Sequence, residues 1–91
     1  MSNIYRMLSD PTRREILALL RERDMPAGEI AGHFAQSWPT ISGHLRLLKE
    51  ADLVHADRIG STITYHLNVS VLEEAMLGLM RAFRIGSEAN T

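Results

Sequence analysis

Ser37-Trp38-Pro39-Thr40-Ile41-Ser42-Gly43-His44-Leu45-Arg46-Leu47-Leu48-Lys49-Glu50 is the stretch that decides the fold, because it reads as one helix with two unlike faces. On a helical projection Ile41, Leu45 and Leu48 fall in one narrow stripe directed at a core, while Gly43, Arg46 and Glu50 point away from it. Thr40, Ser42 and Lys49 flank the outward face, and His44 sits at the edge of the stripe. Small hydrogen-bonding groups followed by cations make a surface able to lie close to base edges. Ser37 caps the helix, which is predicted over 38–50.

Upstream, Ile30, Ala31 and Phe34 recur at helical spacing and predict a short helix over 27–34. The polar bend Ala35-Gln36-Ser37 joins it to the first stretch, giving two helices and a tight turn. Further back, Asp10-Pro11 is a start signal: Asp can cap free amides of a first turn, and Pro at the next position loses no helical hydrogen bond. A helix over 11–21 follows, apolar at Ile16, Leu17, Leu19 and Leu20, and Met25-Pro26 breaks the pattern. Downstream of Ala51-Asp52 the period becomes extended. The β-branched residues around Ile59-Gly60-Ser61 predict a two-stranded hairpin over 53–67. A last helix is expected over 70–84, then a fraying polar tail, 85–91. No repeat, linker or second domain interrupts residues 1–91, so a single, mainly α (α+β) domain is expected.

Composition narrows the function classes. Ninety-one residues form one thin core, so oligomerisation is expected from size alone. No apolar run is long enough to insert in a bilayer, and Ser2-Asn3-Ile4-Tyr5-Arg6 lacks the apolar stretch of a signal peptide, so a cytoplasmic location is expected. The absence of cysteine excludes disulfides, thiolate metal sites and cysteine nucleophiles. A net charge of -1 argues at first against nucleic acid. Distribution outweighs the sum, however. Arg13, Arg14, Arg21, Arg23, Arg46, Lys49 and Arg58 lie in the first two thirds, and Glu73, Glu74 and Glu88 in the last segment. Catalysis finds no support: no nucleophile elbow, Gly-rich phosphate loop or paired carboxylates are visible, and Ser42 and His44, two apart on a helix, point in different directions.

Leu8-Ser9-Asp10-Pro11-Thr12-Arg13-Arg14-Glu15-Ile16-Leu17, the Ser37 to Leu48 run and the Gly60 hairpin, in this order and spacing, resemble the ArsR/SmtB repressors over roughly residues 4 to 84. Within them the chain looks most similar to the SdpR-like autorepressor branch, whose members lack the usual metal ligands. The resemblance implies a winged helix-turn-helix of four helices, two hairpin strands and a fifth helix, the first helix over 1–8. It also implies a homodimer through the terminal helices, with the Ser37 to Glu50 helix in the major groove of a pseudo-palindromic operator in double-stranded DNA. Trp38, Thr40, Ser42, Gly43 and His44 are accordingly assigned to the groove, Arg46 to phosphate or guanine, and Arg58 at the wing to phosphate or the adjacent minor groove. Many relatives carry a large polar or cationic side chain where Gly43 stands; its absence here lets the helix approach more closely.

Each assignment has a structural counterpart. Trp38 can stack on sugar or prop the turn against Phe34 or Ala35. His44 reads as a half-buried ring bonded to backbone, with a phosphate contact as the alternative. Thr40 and Ser42 can cap locally, although their outward placement favours DNA. Arg13 and Arg14 read as surface salt-bridge partners and are not assigned to the site. His55 and His66 can face one another across the hairpin and, with Asp57, form part of a zinc site. Family metal sites, though, draw on cysteines or on Asp and His pairs that Met25 to Glu29 and Ser70 to Arg84 do not supply, so no metal or cofactor is expected.

The last helix has an apolar stripe wider than one small core requires. Leu72, Met76, Leu79, Met80 and Phe83, joined by Ile4, Met7 and Leu8, are assigned to a four-helix dimer seam. The leading reading is a DNA-binding repressor, of its own promoter in the autorepressor case. The rivals are an effector-responsive sensor of metal or a small ligand, and a protein-interaction module controlled by an antirepressor partner.

Overall fold

The structure, a computed structural model, describes residues 4–84. The expected tail at 85–91 and the first three residues of the expected 1–8 helix lie outside the described residues. Helix α1 covers Ile4–Ser9, α2 Pro11–Glu22, strand β1 Met25–Pro26, α3 Ala27–Ala31, α4 Trp38–Glu50, β2 Val54–Ile59, β3 Thr62–Leu67 and α5 Val69–Ala82. Asp10 starts α2 as the sequence predicts: it is extended, its carboxylate accepts from the Arg13 amide at 3.0 Å, and Pro11 follows.

The core gathers one stripe from each element. Ile16, Leu17 and Leu20 of α2 meet Ile30 of α3, Ile41, Leu45 and Leu48 of α4, and Leu53 and Val54 at the start of the hairpin. Met7 and Met25 close it. Each fully buried aliphatic chain contributes about 1.5–3 kcal/mol, and this shared core orients α4 with its opposite face outward.

Three local features depart from the sequence reading. The helix expected to break at Met25-Pro26 already ends at Glu22, with Arg23 extended, and Met25-Pro26 instead forms β1, pairing Met25 with Tyr65 and Pro26 with Thr64 in a sheet of order β1-β3-β2. Proline is tolerated there because β1 is an edge strand and needs no second donor. Helix α3 stops at Ala31 instead of Phe34, since His33 and Phe34 donate to Ile30 and Ala31, three residues back, and the turn tightens out of the α form. Met7, expected at the dimer seam, is buried in the protomer's own core because α1 lies against α2 and turns this side chain inward.

The C-terminus of α4 is a Schellman motif. Leu53 N–H donates to Leu48 O and Asp52 N–H to Lys49 O, each at 3.0 Å, with Asp52 in the left-handed region at φ 62°. That reversal sends the chain directly into β2. The hairpin closes through Gly60-Ser61, with Gly60 at φ 62° in the first loop position, the pattern of a type II′ turn that favours glycine there.

Candidate nucleic-acid interface

The outward face of α4 is built by exclusion: three buried aliphatics turn the intervening positions to solvent. Trp38 is 48% exposed at the helix start. Thr40 and Arg46 are exposed, while Ser42, Gly43 and His44 are half-buried. Ser37 makes no side-chain cap; its hydroxyl instead bonds the Thr40 hydroxyl at 3.2 Å, so Thr40 has a local partner and remains open to another. Arg46 reaches Glu50 at 3.5 Å, an exposed i,i+4 pair worth about 0.3–0.5 kcal/mol and readily exchanged for a phosphate. No side chain stands above Gly43, where an added Cβ meets nothing within 4 Å.

The hairpin flanks this face. Register pairs Val54 with Leu67, Ala56 with Tyr65 and Arg58 with Ile63, so these six share one side of the two strands. Val54 is buried on the core, Tyr65 sits farther out, and Arg58 lies near the turn with its Nε donating to Gly60 O at 3.3 Å. Ser42, Arg46, Lys49, Glu50 and Tyr65 line a groove of about 350 Å³. Lys49 and Tyr65 were not among the assigned site residues; the signal for Tyr65 was its alternation with Leu67, which carries it to the α4 side.

Behind the outward face, His44 has 15% of its side chain exposed and bonds a side chain, not backbone: its Nδ1 lies 3.2 Å from Arg13 Nη1 and 3.9 Å from Asp10 Oδ2. Arg13 also donates from Nε to Met7 O and from Nη2 to Arg6 O, both at 3.0 Å, and Arg14 Nη1 donates to Leu8 O at 2.9 Å. The two arginines, read from sequence as salt-bridge partners, thus satisfy carbonyls at the end of α1. The bond from the Arg13 amide holds the Asp10 carboxyl below its ordinary 3.8, against the smaller opposing effect of burial.

His55 and His66 are direct cross-strand partners, as the zinc reading required. His66 nevertheless places Nδ1 2.8 Å from Asp24 Oδ2 and Nε2 2.5 Å from Asp57 Oδ2. Both nitrogens face carboxylate acceptors, the arrangement of an imidazolium, and the Asp24 bond above all, assisted by Asp57, raises the pKa of His66 above its ordinary 6.5. Among the described residues no three His, Asp or Glu side chains converge where a metal could bind.

Of the 14 residues of α5 only Ala75 is buried. Met76, Leu77 and Met80 are exposed, Phe83 at 69% the most, whereas Leu72, Leu79, Leu8 and Ile4 are half-buried. Val69, Leu72, Met76, Leu77 and Leu67 form most of an apolar groove of about 530 Å³. Gly78 admits the Tyr5 hydroxyl, 3.1 Å from where a Cβ would stand, and so lets α1 approach α5. No helix among the described residues is long and apolar enough to cross a membrane.

A two-faced helix whose polar side is open beside an exposed hairpin, set on a helical core, defines a winged helix-turn-helix protein. Residues 10–56 match the family described as bacterial regulatory protein, arsR family, and the chain belongs to that family of transcriptional regulators. It is 49% identical over 76 residues to the transcriptional repressor SdpR of Bacillus subtilis, with 84% of each chain covered. Among solved structures it resembles a possible transcriptional regulator for arsenical resistance (33% identity, TM-score 0.79, 90% and 84% of the two chains). It also resembles the homodimeric winged helix-turn-helix DNA-binding domain of a possible ArsR-family regulator from Mycobacterium bovis (27% identity, TM-score 0.73, 88% and 75%).

Proposed function

We propose that the protein is a cytoplasmic, homodimeric repressor that binds a pseudo-palindromic operator in double-stranded DNA and acts without catalysis. The observation that carries this reading is that one small domain presents two unlike exposed faces, a polar one on α4 beside the wing and an apolar one on α5. The second pairs with its copy, Leu72, Met76, Leu79, Met80 and Phe83 meeting their equivalents together with Ile4 and Leu8. The dyad then sets two α4 helices about one helical turn of DNA apart, or ~34–36 Å.

In the groove, Trp38, Thr40, Ser42 and Gly43 lie nearest the base edges, with His44 at their margin. Arg46 exchanges Glu50 for phosphate or guanine, and Arg58 reaches the backbone or minor groove from the wing. Repression follows by occupying a promoter, its own in the autorepressor case.

Selection from a pool of randomised duplexes, followed by footprinting of the recovered sequence, tests the reading. An inverted repeat protected symmetrically is expected, with Arg46→Ala and Arg58→Ala each weakening affinity and reducing the salt slope by about 1. Failure to enrich any sequence, or wild-type binding by both variants, overturns it.

A further inference from the structure

Three helices meet at the Arg13 guanidinium. Nε and Nη2 hold the Met7 and Arg6 carbonyls of α1, the residue itself belongs to the first turn of α2, and Nη1 reaches His44 Nδ1 on α4 at 3.2 Å. A guanidinium has donors only and stays charged, so Nδ1 must accept. That contact leaves Nδ1 as the acceptor and puts the ring proton on Nε2. Asp10 Oδ2, at 3.9 Å, is too far to hold Nδ1 in Arg13's place.

We infer that Arg13 is a positioning residue for operator binding, tying α4 to the end of α1 through Nδ1 of His44. The inference rests on the reading of α4 as the helix that enters the groove. Its force comes from where the tie runs. On that reading α1 contributes to the dimer seam, so the angle between α1 and α4 decides how the two α4 helices of a dimer are spaced. A planar fork that grips two α1 carbonyls and one ring nitrogen defines that angle better than a mobile ammonium would. Arg14, bonded separately to Leu8 O, still holds α1 to α2 in Arg13→Gln, and substitutions of His44 cut the α4 branch alone.

Two measurements test this. Ring ¹⁵N shifts of the uncomplexed wild-type protein report the tautomer, expected to be neutral with the proton on Nε2. Titrations of the selected duplex then compare wild type with Arg13→Gln, His44→Leu, His44→Asn, His44→Gln and the double variant Arg13→Gln/His44→Leu, each shown to be folded by circular dichroism. Arg13→Gln and His44→Leu should each weaken binding about tenfold. The double variant should be no weaker than the worse single one, with the salt slope unchanged. Asn, whose oxygen stands near the Nδ1 position, should restore binding and Gln should not. A proton on Nδ1, additive losses, or rescue by Gln alone overturns the inference, the last by placing the working atom at Nε2. So does a slope that falls by about 1 in Arg13→Gln, which would make Arg13 itself a phosphate contact. If Arg13→Gln does not fold, the tautomer and the Leu, Asn and Gln series decide. Binding by wild type together with weakening by Arg46→Ala keeps the reading of α4 intact whatever Arg13 does, so the two failures are distinguishable.

Discussion

Gly43→Ala should make the protein more stable and a worse operator binder at once. Gly43 is interior to α4, and a methyl built on it meets no atom within 4 Å, so the substitution introduces no strain in the free protein. An interior helical glycine is less favourable than alanine by about 0.8–1.0 kcal/mol, because its unfolded backbone has more freedom to lose. In a domain of this size 1 kcal/mol corresponds to about 4–8 °C, so the melting midpoint should rise by about 3–8 °C at fixed protomer concentration. The same methyl projects from the face proposed to enter the groove, where a bare backbone allows close approach. Displacing the helix by a fraction of an ångström from several hydrogen-bonded bases should weaken binding on the order of tenfold, about 1.4 kcal/mol. Thermal melts and fluorescence-anisotropy titrations of the selected duplex read the two effects separately. A lowered midpoint would refute the open space above Gly43. A raised midpoint with unchanged or tighter binding would refute the close approach.

Asp10→Ala should cost about 1 kcal/mol in urea denaturation at neutral pH through loss of the α2 cap. Because the folded carboxyl titrates below its ordinary 3.8, that contribution is present above 3.8 and disappears as pH falls through the lowered value, so wild type and variant should converge in acid. Asp52→Gly should stabilise by about 1 kcal/mol, since the residue holds φ 62° at the end of α4, where glycine carries no Cβ penalty and no charge opposes the helix dipole. Met80→Glu should raise the dimer dissociation constant on the order of a hundredfold by sedimentation, through an unpaired charge in the seam, without changing protomer helicity. For His66 the sign is opposite to that of Asp10: its folded pKa is raised, so the bridge stabilises below about 6.5 and is lost as pH rises through the raised value. Asp24→Asn should lower the His66 pKa in a proton NMR titration, and an unchanged value would remove Asp24 as the cause.

The faces of α4 were legible because they depend only on helical geometry. Ile41, Leu45 and Leu48 fall within one stripe of a projection, and all three are buried. Asp10-Pro11 and Gly60 were legible for the same reason, each being a chemical requirement of one backbone position. What escaped depends on pairs distant in sequence. Two residues of β1 carry no strand signal of their own; they become a strand only because β3 offers an edge to Met25 and Pro26. Arg13 looked like a surface cation since nothing local reveals that the end of α1 and the middle of α4 converge on it. Met7 was misplaced because α1 has six residues, too few for its inner and outer sides to be told apart by composition.

The apolar surplus of α5 was legible in a different way. A helix of 14 residues that fully buries a single alanine, with Val71 and Leu72 only partly packed on the core, leaves most of its apolar side uncovered, and isolated helices of that length are marginal in water. Either α5 frays in the lone chain or its apolar side is covered, and a second copy offers the same chemistry in return. On that account folding of α5, closure of the seam and spacing of the two α4 helices are one event. Operator affinity should then depend on protomer concentration more steeply than single-site binding, and substitutions in α5 that never touch DNA should weaken repression through the dimer equilibrium.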